Sequence, residues 1–359
     1  MILSENRIVE NIYKTPVTLG DISESIFEGV SAKNGLLHRL YLPEEGGPNS
    51  FYFCESLCKP VFSEPELVYP YVPEAFSEKF VFRPSPYRFI LPYEPSDEGR
   101  RKKYRVISPS ELKDRFPMTY RRIMEFKKEF HHDMSPLNSA DYYSIKGREF
   151  MEYLYTPKII AIEGSHLQAA YDDVGNYVFE DGCGIVLKEP DKYPYITAVL
   201  NSPISRLFPV VCKSEMINSN YTAPTVMRRF PIVFPDNKLT EDLINTISSY
   251  LMFLNMERYA TNCRVTDWLQ ELASFFEQIS SLLILDTYLI NDIDSRLLND
   301  LGENIHPYAG DMESENSDSL LSALYCIKQR ILETSNFGKY RFNMGLPEIL
   351  NFLELMRLS

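Results

Sequence analysis

Apolar and polar positions change rhythm along the chain, and the change predicts two kinds of structure. Up to about residue 235 the apolar residues come in short runs broken by Gly, Pro and Asn, the mark of strands and turns. Residues 17–42 read as two strands around a turn, with Gly29 and Gly35 supplying flexibility and Leu40–Leu42 as strand. RFILPY at 88–93 reads as one buried strand. YYSI (142–145), KIIAI (158–162), AAYDD (169–173), NYVFED (176–181) and GIVLK (184–188) follow, with Gly175-Asn176 and Gly182 to Gly184 at the turns.

Helical periodicity interrupts this pattern twice. Residues 108–130 have Ser108 or Ser110 as cap and Pro109 at the start, with Pro117 placed to kink or split the helix. Ile123, Phe126 and Phe130 share one face of its second half. Residues 193–208 predict a further helix. FPIVFP at 230–235 is bracketed by prolines and must be extended. Beyond 236 the spacing is helical over 239–257, with Thr240 as cap, and over 267–290, 317–335 and 346–357. The reading is therefore an α+β chain: a mixed or mostly-β domain over 1–235, then a helical domain over 236–359. No internal repeat is visible.

Composition narrows the class. The chain has 359 residues, is 44% hydrophobic and carries 24 Tyr and 22 Phe, enough for substantial cores and too apolar for a disordered chain. No eighteen-residue apolar run and no secretory signal are seen, so a cytoplasmic protein is expected. The six cysteines are read as reduced thiols. The chain begins with Met and a short arm, which favours an independent gene product over a fragment.

Net charge is −13, yet it is unevenly spread. Residues 79–128 hold 14 Lys or Arg against 6 Asp or Glu, while the flanks are acidic. A local positive field can bind phosphates in an acidic protein.

Four stretches carry a family likeness: FEGVSAKNGLLHRLYL (27–42), YRFILPYE (87–94), LYTPKIIAIEG (154–164) with the hairpin YDDVGNYVFEDGCGIVL (171–187), and RRFPIVFP (228–235). Together they resemble the C-terminal target-recognition region of adenine-specific DNA methyltransferases of restriction–modification systems, of the Eco57I-like and TaqI-like fused kind. LINTISSYLMFLN (243–255) and WLQELASFFEQISSLLILDTYL (268–289) are similar to the helices that follow in those enzymes. The likeness covers roughly residues 20–295. It implies a TaqI-like recognition domain and double-stranded DNA as partner. The departures are as informative. No Asn-Pro-Pro-aromatic tetrapeptide is present, Asn201-Ser202-Pro203 being the nearest run, and no Gly-rich strand-to-helix loop can seat S-adenosylmethionine. The expectation is a specificity subunit without bond chemistry of its own. A separate methyltransferase or methyltransferase–nuclease would hold the donor and flip the base.

The candidate DNA contacts fall into four groups. Arg100, Arg101, Lys102, Lys103 and Arg105 place five cations in six residues, for phosphates or as a solvated linker. Lys113, Arg115, Arg121, Arg122, Lys127 and Lys128 lie on the 108–130 helix, whose Glu111, Asp114, Glu125 and Glu129 offer the competing reading of surface ion pairs. Lys33 and Asn34 sit in the entry motif, where Asn34-Gly35 can equally be a plain turn. Tyr143, Lys146, Arg148, His166 and Gln168 can read base edges or phosphates, or serve the core. His131, His132 and Asp133 read as a solvated helix end rather than a metal site. Two readings compete with the specificity subunit: a C-terminal fragment of a fused enzyme, and an interaction or inhibitor module that does not bind DNA. The second requires the cations of 99–128 to be scattered or paired with carboxylates. A nuclease finds no motif. The docking surface for a partner is expected on the long C-terminal helices.

Overall fold

The computed structural model describes residues 17–32, 35–42, 51–96, 103–130, 142–163, 167–206, 223–260, 266–289, 295–306 and 317–334. Its strands are β1 (Ser23–Glu28), β2 (Ser31–Ala32), β3 (Arg39–Tyr41), β4 (Phe51–Cys54), β5 (Lys59–Phe62), β6 (Val68–Pro70), β7 (Tyr87–Ile90), β8 (Tyr93–Ser96), β9 (Lys103–Val106), β10 (Ile145–Lys146), β11 (Lys158–Glu163), β12 (Leu167–Asp172) and β13 (Cys183–Leu187). The longer helices are α1 (Pro109–Arg115), α2 (Pro117–Phe130), α3 (Tyr193–Asn201), α4 (Lys238–Ala260), α5 (Thr266–Leu289), α6 (Ser295–Asn304) and α7 (Ser317–Thr334). The architecture is mixed α+β, with several sheets and long C-terminal helices.

Four layers stack. An antiparallel four-stranded sheet, in the order β1-β13-β11-β12, is covered on both faces. Alternation at period two divides its side chains. Ile26, Ile159, Ala161, Ile185 and Leu187 join a core with α3 to α7. Phe27, Ile160, Ile162 and Val186 face the other way, onto Tyr69, Phe89 and Leu91 of the second sheet region. That second sheet, in the order β5-β4-β3-β7-β6, is also antiparallel. Its far face, through Leu40, Tyr52, Val61 and Ile90, meets Leu112, Ile123 and Phe126 of α1 and α2. Residues on both sides of 235 share the first core.

FPIVFP is extended, as its prolines require. Ile232 N donates to Val17 O and Leu19 N to Phe230 O, joining it to the start of the described chain. Tyr288 Oη on α5 donates to Pro231 O and accepts from Val233 N, which ties the segment to the helices.

Several expectations are corrected. Residues 99–105 are not all linker, because Lys103–Val106 pairs with β8. Residues 176–181 form no strand; Val178 makes only one isolated bridge, to Tyr71. Tyr142 and Tyr143 are turn rather than strand. Helix α3 ends at Asn201, where Pro203 removes a donor from the next turn. Helix α4 begins before Thr240, because Asn237 Oδ1 accepts from Leu239 N and Thr240 is buried. The 346–357 helix lies outside the described residues. The four described cysteines, Cys54, Cys58, Cys183 and Cys326, form no disulfide among the described residues. No described helix is long and apolar enough to cross a membrane.

Two buried polar arrangements test this packing. Lys158 and Asp172 are cross-strand partners on β11 and β12, both with fully buried side chains, and lie 3.1 Å apart. Lys158 Nζ also donates to Gly175 O. Asp172 accepts from Gly175 N (2.8 Å) and Tyr177 N (3.1 Å). Gly175 itself has φ +76°, and a Cβ there would meet Thr156 O at 2.3 Å. Burial lowers the Lys158 pKa, against the opposing pull of Asp172. Breaking the pair leaves one buried charge, so Lys158→Met or Asp172→Asn alone should cost about 3–5 kcal/mol by chemical denaturation. Replacing both with apolar residues should cost clearly less than the sum.

His38 supplies the second test. Its Nδ1 lies 2.7 Å from Ile90 O, its ring stacks on Phe89, and Nε2 finds no hydrogen-bond partner among the described residues. Burial, aided by the Arg122 charge, lowers its pKa from 6.5 to about 4. Well above pH 6.5 the ring is neutral in both states and contributes no pH dependence. As pH falls from 6.5 towards 4, only the unfolded chain takes up the proton, so stability drops, by about 3 kcal/mol in full. Urea titrations of wild type and His38→Phe between pH 7.5 and 4 should differ in slope over that window. Parallel curves would refute the assignment.

Candidate nucleic-acid interface

Local rules build the corner that carries most of the candidate cations. Ser108 caps α1 in a reciprocal box: Glu111 N donates to Ser108 Oγ (3.3 Å), and Ser108 N donates to Glu111 Oε2 (3.0 Å). Pro109 occupies the first turn. Pro117 then starts α2 as a separate helix. Its free N–H groups are met by Glu64, whose carboxylate accepts from Met118 N (2.8 Å), Thr119 N (2.9 Å) and Thr119 Oγ1 (2.5 Å). The anion position at this helix end is therefore filled from within the chain.

The 142–146 segment is strapped to the same helices. Tyr143 Oη donates to Ile107 O at 2.6 Å, just before α1. Lys127 Nζ lies 5.6 Å from the centre of the Tyr142 ring. Lys113 lies on α1 and Lys127 and Lys128 on α2, while Lys146, three residues after Tyr143, lies on β10, which pairs with β2. Lys113, Lys128 and Lys146 are exposed, and none makes an ion pair among the described residues.

The remaining candidates divide sharply. Lys33, Asn34, Arg100, Arg101, Lys102 and His166 lie outside the described residues, as do His131, His132 and Asp133. Lys103 opens β9 and Arg148 opens a short helix, their side chains outside the description. Gln168 is half-buried on β12, opposite Ile162. Arg105 is held by Glu94 and Glu111, and Arg115 by the same Glu94 at 2.6 Å. The Arg105 guanidinium and the Ser108 cap hold the Glu111 carboxyl well below its usual range. Two cations of the basic segment are thereby neutralised on the spot.

Arg122 and Tyr143 are corrected as DNA contacts. Arg122 is 1% exposed; its Nε and Nη2 donate to Leu37 O at 3.1 and 2.6 Å, and Nη2 reaches Arg39 O at 3.1 Å. It crosslinks α2 to the entry of β3. Tyr143 is 1% exposed and spends its hydroxyl on Ile107. Neither can reach a phosphate. The 3.6-residue pattern carries the reason for Arg122: it sits beside Ile123 and Phe126 on the inward face. A residue's sign of charge conceals this; its helical phase does not.

Sequence reasoning missed Glu64, because a helix cap supplied from 53 residues upstream has no local signature. It also missed Phe62 and Met118, large apolar side chains that are 50% and 40% exposed. Among the described residues no group of three or more His, Cys, Asp or Glu is placed to hold a metal ion. Comparison with known proteins finds no matching family model and no matching curated protein.

The division between structural and exposed cations is measurable. Arg122→Met leaves the Leu37 and Arg39 carbonyls without that donor and should lower the unfolding free energy by about 2–4 kcal/mol. Lys128→Ala should stay within about 0.5 kcal/mol of wild type in the same urea experiment.

Proposed function

We propose that the chain is a DNA target-recognition module that acts as the specificity subunit of an adenine-specific methyltransferase system, with methyl transfer carried out on a separate partner. The supporting observation is the corner formed by α1, α2 and residues 142–146. It presents Lys113, Lys128 and Lys146 to solvent without carboxylate partners among the described residues, in a chain whose net charge is −13. Exposed cations without carboxylate partners gain affinity for a polyanion by releasing its counterions. Lys127, lying over Tyr142, adds a fourth positive charge to the same corner. The family likeness of residues 20–295 supplies the rest of the reading: a TaqI-like recognition domain, duplex DNA as ligand, and S-adenosylmethionine on the partner rather than here. In this reading the lysines position the protein on phosphates, and base readout falls to neighbouring side chains such as Gln168.

One observation favours a second reading, a protein-interaction or inhibitor module. Arg105 and Arg115 are paired with Glu94 and Glu111, as that reading requires of the basic segment. Duplex binding decides between them. Wild-type protein should bind a 30-base-pair duplex with log K falling linearly in log salt. The Lys113→Glu, Lys128→Glu, Lys146→Glu variant should bind more weakly, with a slope shallower by about 2 to 3. An absence of duplex binding, or an unchanged slope in the variant, would favour the interaction module.

A further inference from the structure

Strand β5 ends the five-stranded sheet, and among the described residues β4 is its one strand partner. All four of its residues, Lys59 to Phe62, line a single open cleft of about 290 Å3. Consecutive strand residues point to opposite faces, so a cleft touching all four runs along the strand's edge. The opposite wall is the exposed side of α2, through Met118, Arg121 and Glu125. Phe62 and Met118, 50% and 40% exposed, both line this space and give it apolar surface. Lys59 and Arg121 supply positive charge at its sides. Glu125 is already engaged with Lys59 at 3.0 Å, and Arg121 has no carboxylate partner among the described residues.

Apolar walls, an Arg at the rim and a sheet edge are the ingredients by which proteins take up an extended peptide. A duplex offers phosphates to Arg121 but nothing apolar to fill the space between Phe62 and Met118 at backbone level. A net positive lining in a chain of net charge −13 selects a segment of opposite sign. Pro60 lacks an N–H, so the edge cannot supply a continuous ladder, and side-chain contacts must carry the affinity. We propose that this cleft docks a short extended segment of the catalytic partner, in which an apolar side chain packs against Phe62 and Met118 and a flanking carboxylate meets Arg121. The partner's docking surface would then lie on the β5–α2 edge and not on the long C-terminal helices. This rests on the reading of the chain as a subunit that needs a catalytic partner.

The probe is a fluorescein-labelled heptapeptide of alternating Asp and Leu, with a Lys-for-Asp counterpart as control, followed by fluorescence anisotropy. The acidic peptide should bind with Kd of about 10–100 µM and the basic one should not. Arg121→Glu and Phe62→Ala should each weaken binding about tenfold, Arg121→Lys should retain most of it, and the triple Lys113, Lys128, Lys146 reversal should leave it unchanged. Both exposed-site variants are first checked for wild-type Tm; Met118→Ala, on the other wall, gives the same expectation where Phe62→Ala fails to fold. Equal binding of the two peptides, or binding that survives Arg121→Glu together with the apolar substitution, overturns the proposal. So does loss of duplex binding in Arg121→Glu without peptide binding in wild type, which would make the cleft a DNA surface. Loss of self-association in Phe62→Ala under sedimentation, again without peptide binding, would assign it to a second copy. Peptide binding by a protein that never binds duplex keeps the docking cleft and removes the DNA reading, so the two fail separately.

Discussion

The constraint on which the rest depends is burial of the four-stranded sheet on both faces. With Ile159, Ala161 and Ile185 turned to the helices and Ile160, Ile162 and Val186 turned to the second sheet, a shift of one residue in β11 would exchange two different cores. Register must therefore be fixed strongly. The Lys158–Asp172 pair lies at the end of the β11–β12 ladder, where Asp172 also holds the turn at Gly175 and Tyr177. Such a pair adds little net stability, since desolvation offsets the attraction, but a slipped register would leave it unpaired.

The same layering accounts for the fate of the basic segment. Helices α1 and α2 cover the outer face of the five-stranded sheet, so one side of each must be apolar and the cations are sorted by helical phase. Arg122 falls on the inward side and becomes a crosslink to Leu37 and Arg39. Arg105 and Arg115 meet Glu94 and Glu111 where the β8–β9 ribbon lies beside α1. What remains outward is a smaller set of charges than the raw count of 14 implies. A count of cations overstates the field where the segment's own carboxylates, here Glu94 and Glu111, are folded against them.

The parts of the fold that were legible are those written in local pattern. Pro117 splitting the helix, the Ser108 cap, the strands at 158–163 and 183–187, the extended 230–235 segment and the long C-terminal helices all follow from periodicity or from the geometry of proline. The illegible parts depend on distant residues. Strands β4 to β6 are interrupted by Pro60, Pro65 and Pro70 and become strands through their partners. The β9 strand was hidden by charge, since Lys103 and Arg105 have poor strand propensity on their own. Helix α6, with Leu297, Leu298 and Leu301 buried, is short, and its single apolar stripe is weak evidence without a neighbour. At the candidate site the residue types were readable, but the pairing of Arg105 and Arg115 with Glu94 was not, because Glu94 reaches them from the neighbouring strand β8.

A subunit that recognises DNA for another protein has to keep two surfaces apart, one for the polyanion and one for the partner. On the proposed reading, the sorting of α2 by phase would provide the means. Its buried stripe runs through Thr119, Ile123 and Phe126, which leaves two flanks. One carries Met118 and Arg121 towards the edge of β5; the other carries Lys127 towards Tyr142. Glu64 closes the helix start, so an anion cannot compete there for both. Because the same rigid helix carries both flanks, bound DNA and a docked segment would be held in fixed relation without any moving part. Rigid placement is what a catalytic partner needs, since misplacing a target base by about 1 Å can cost a hundredfold in rate.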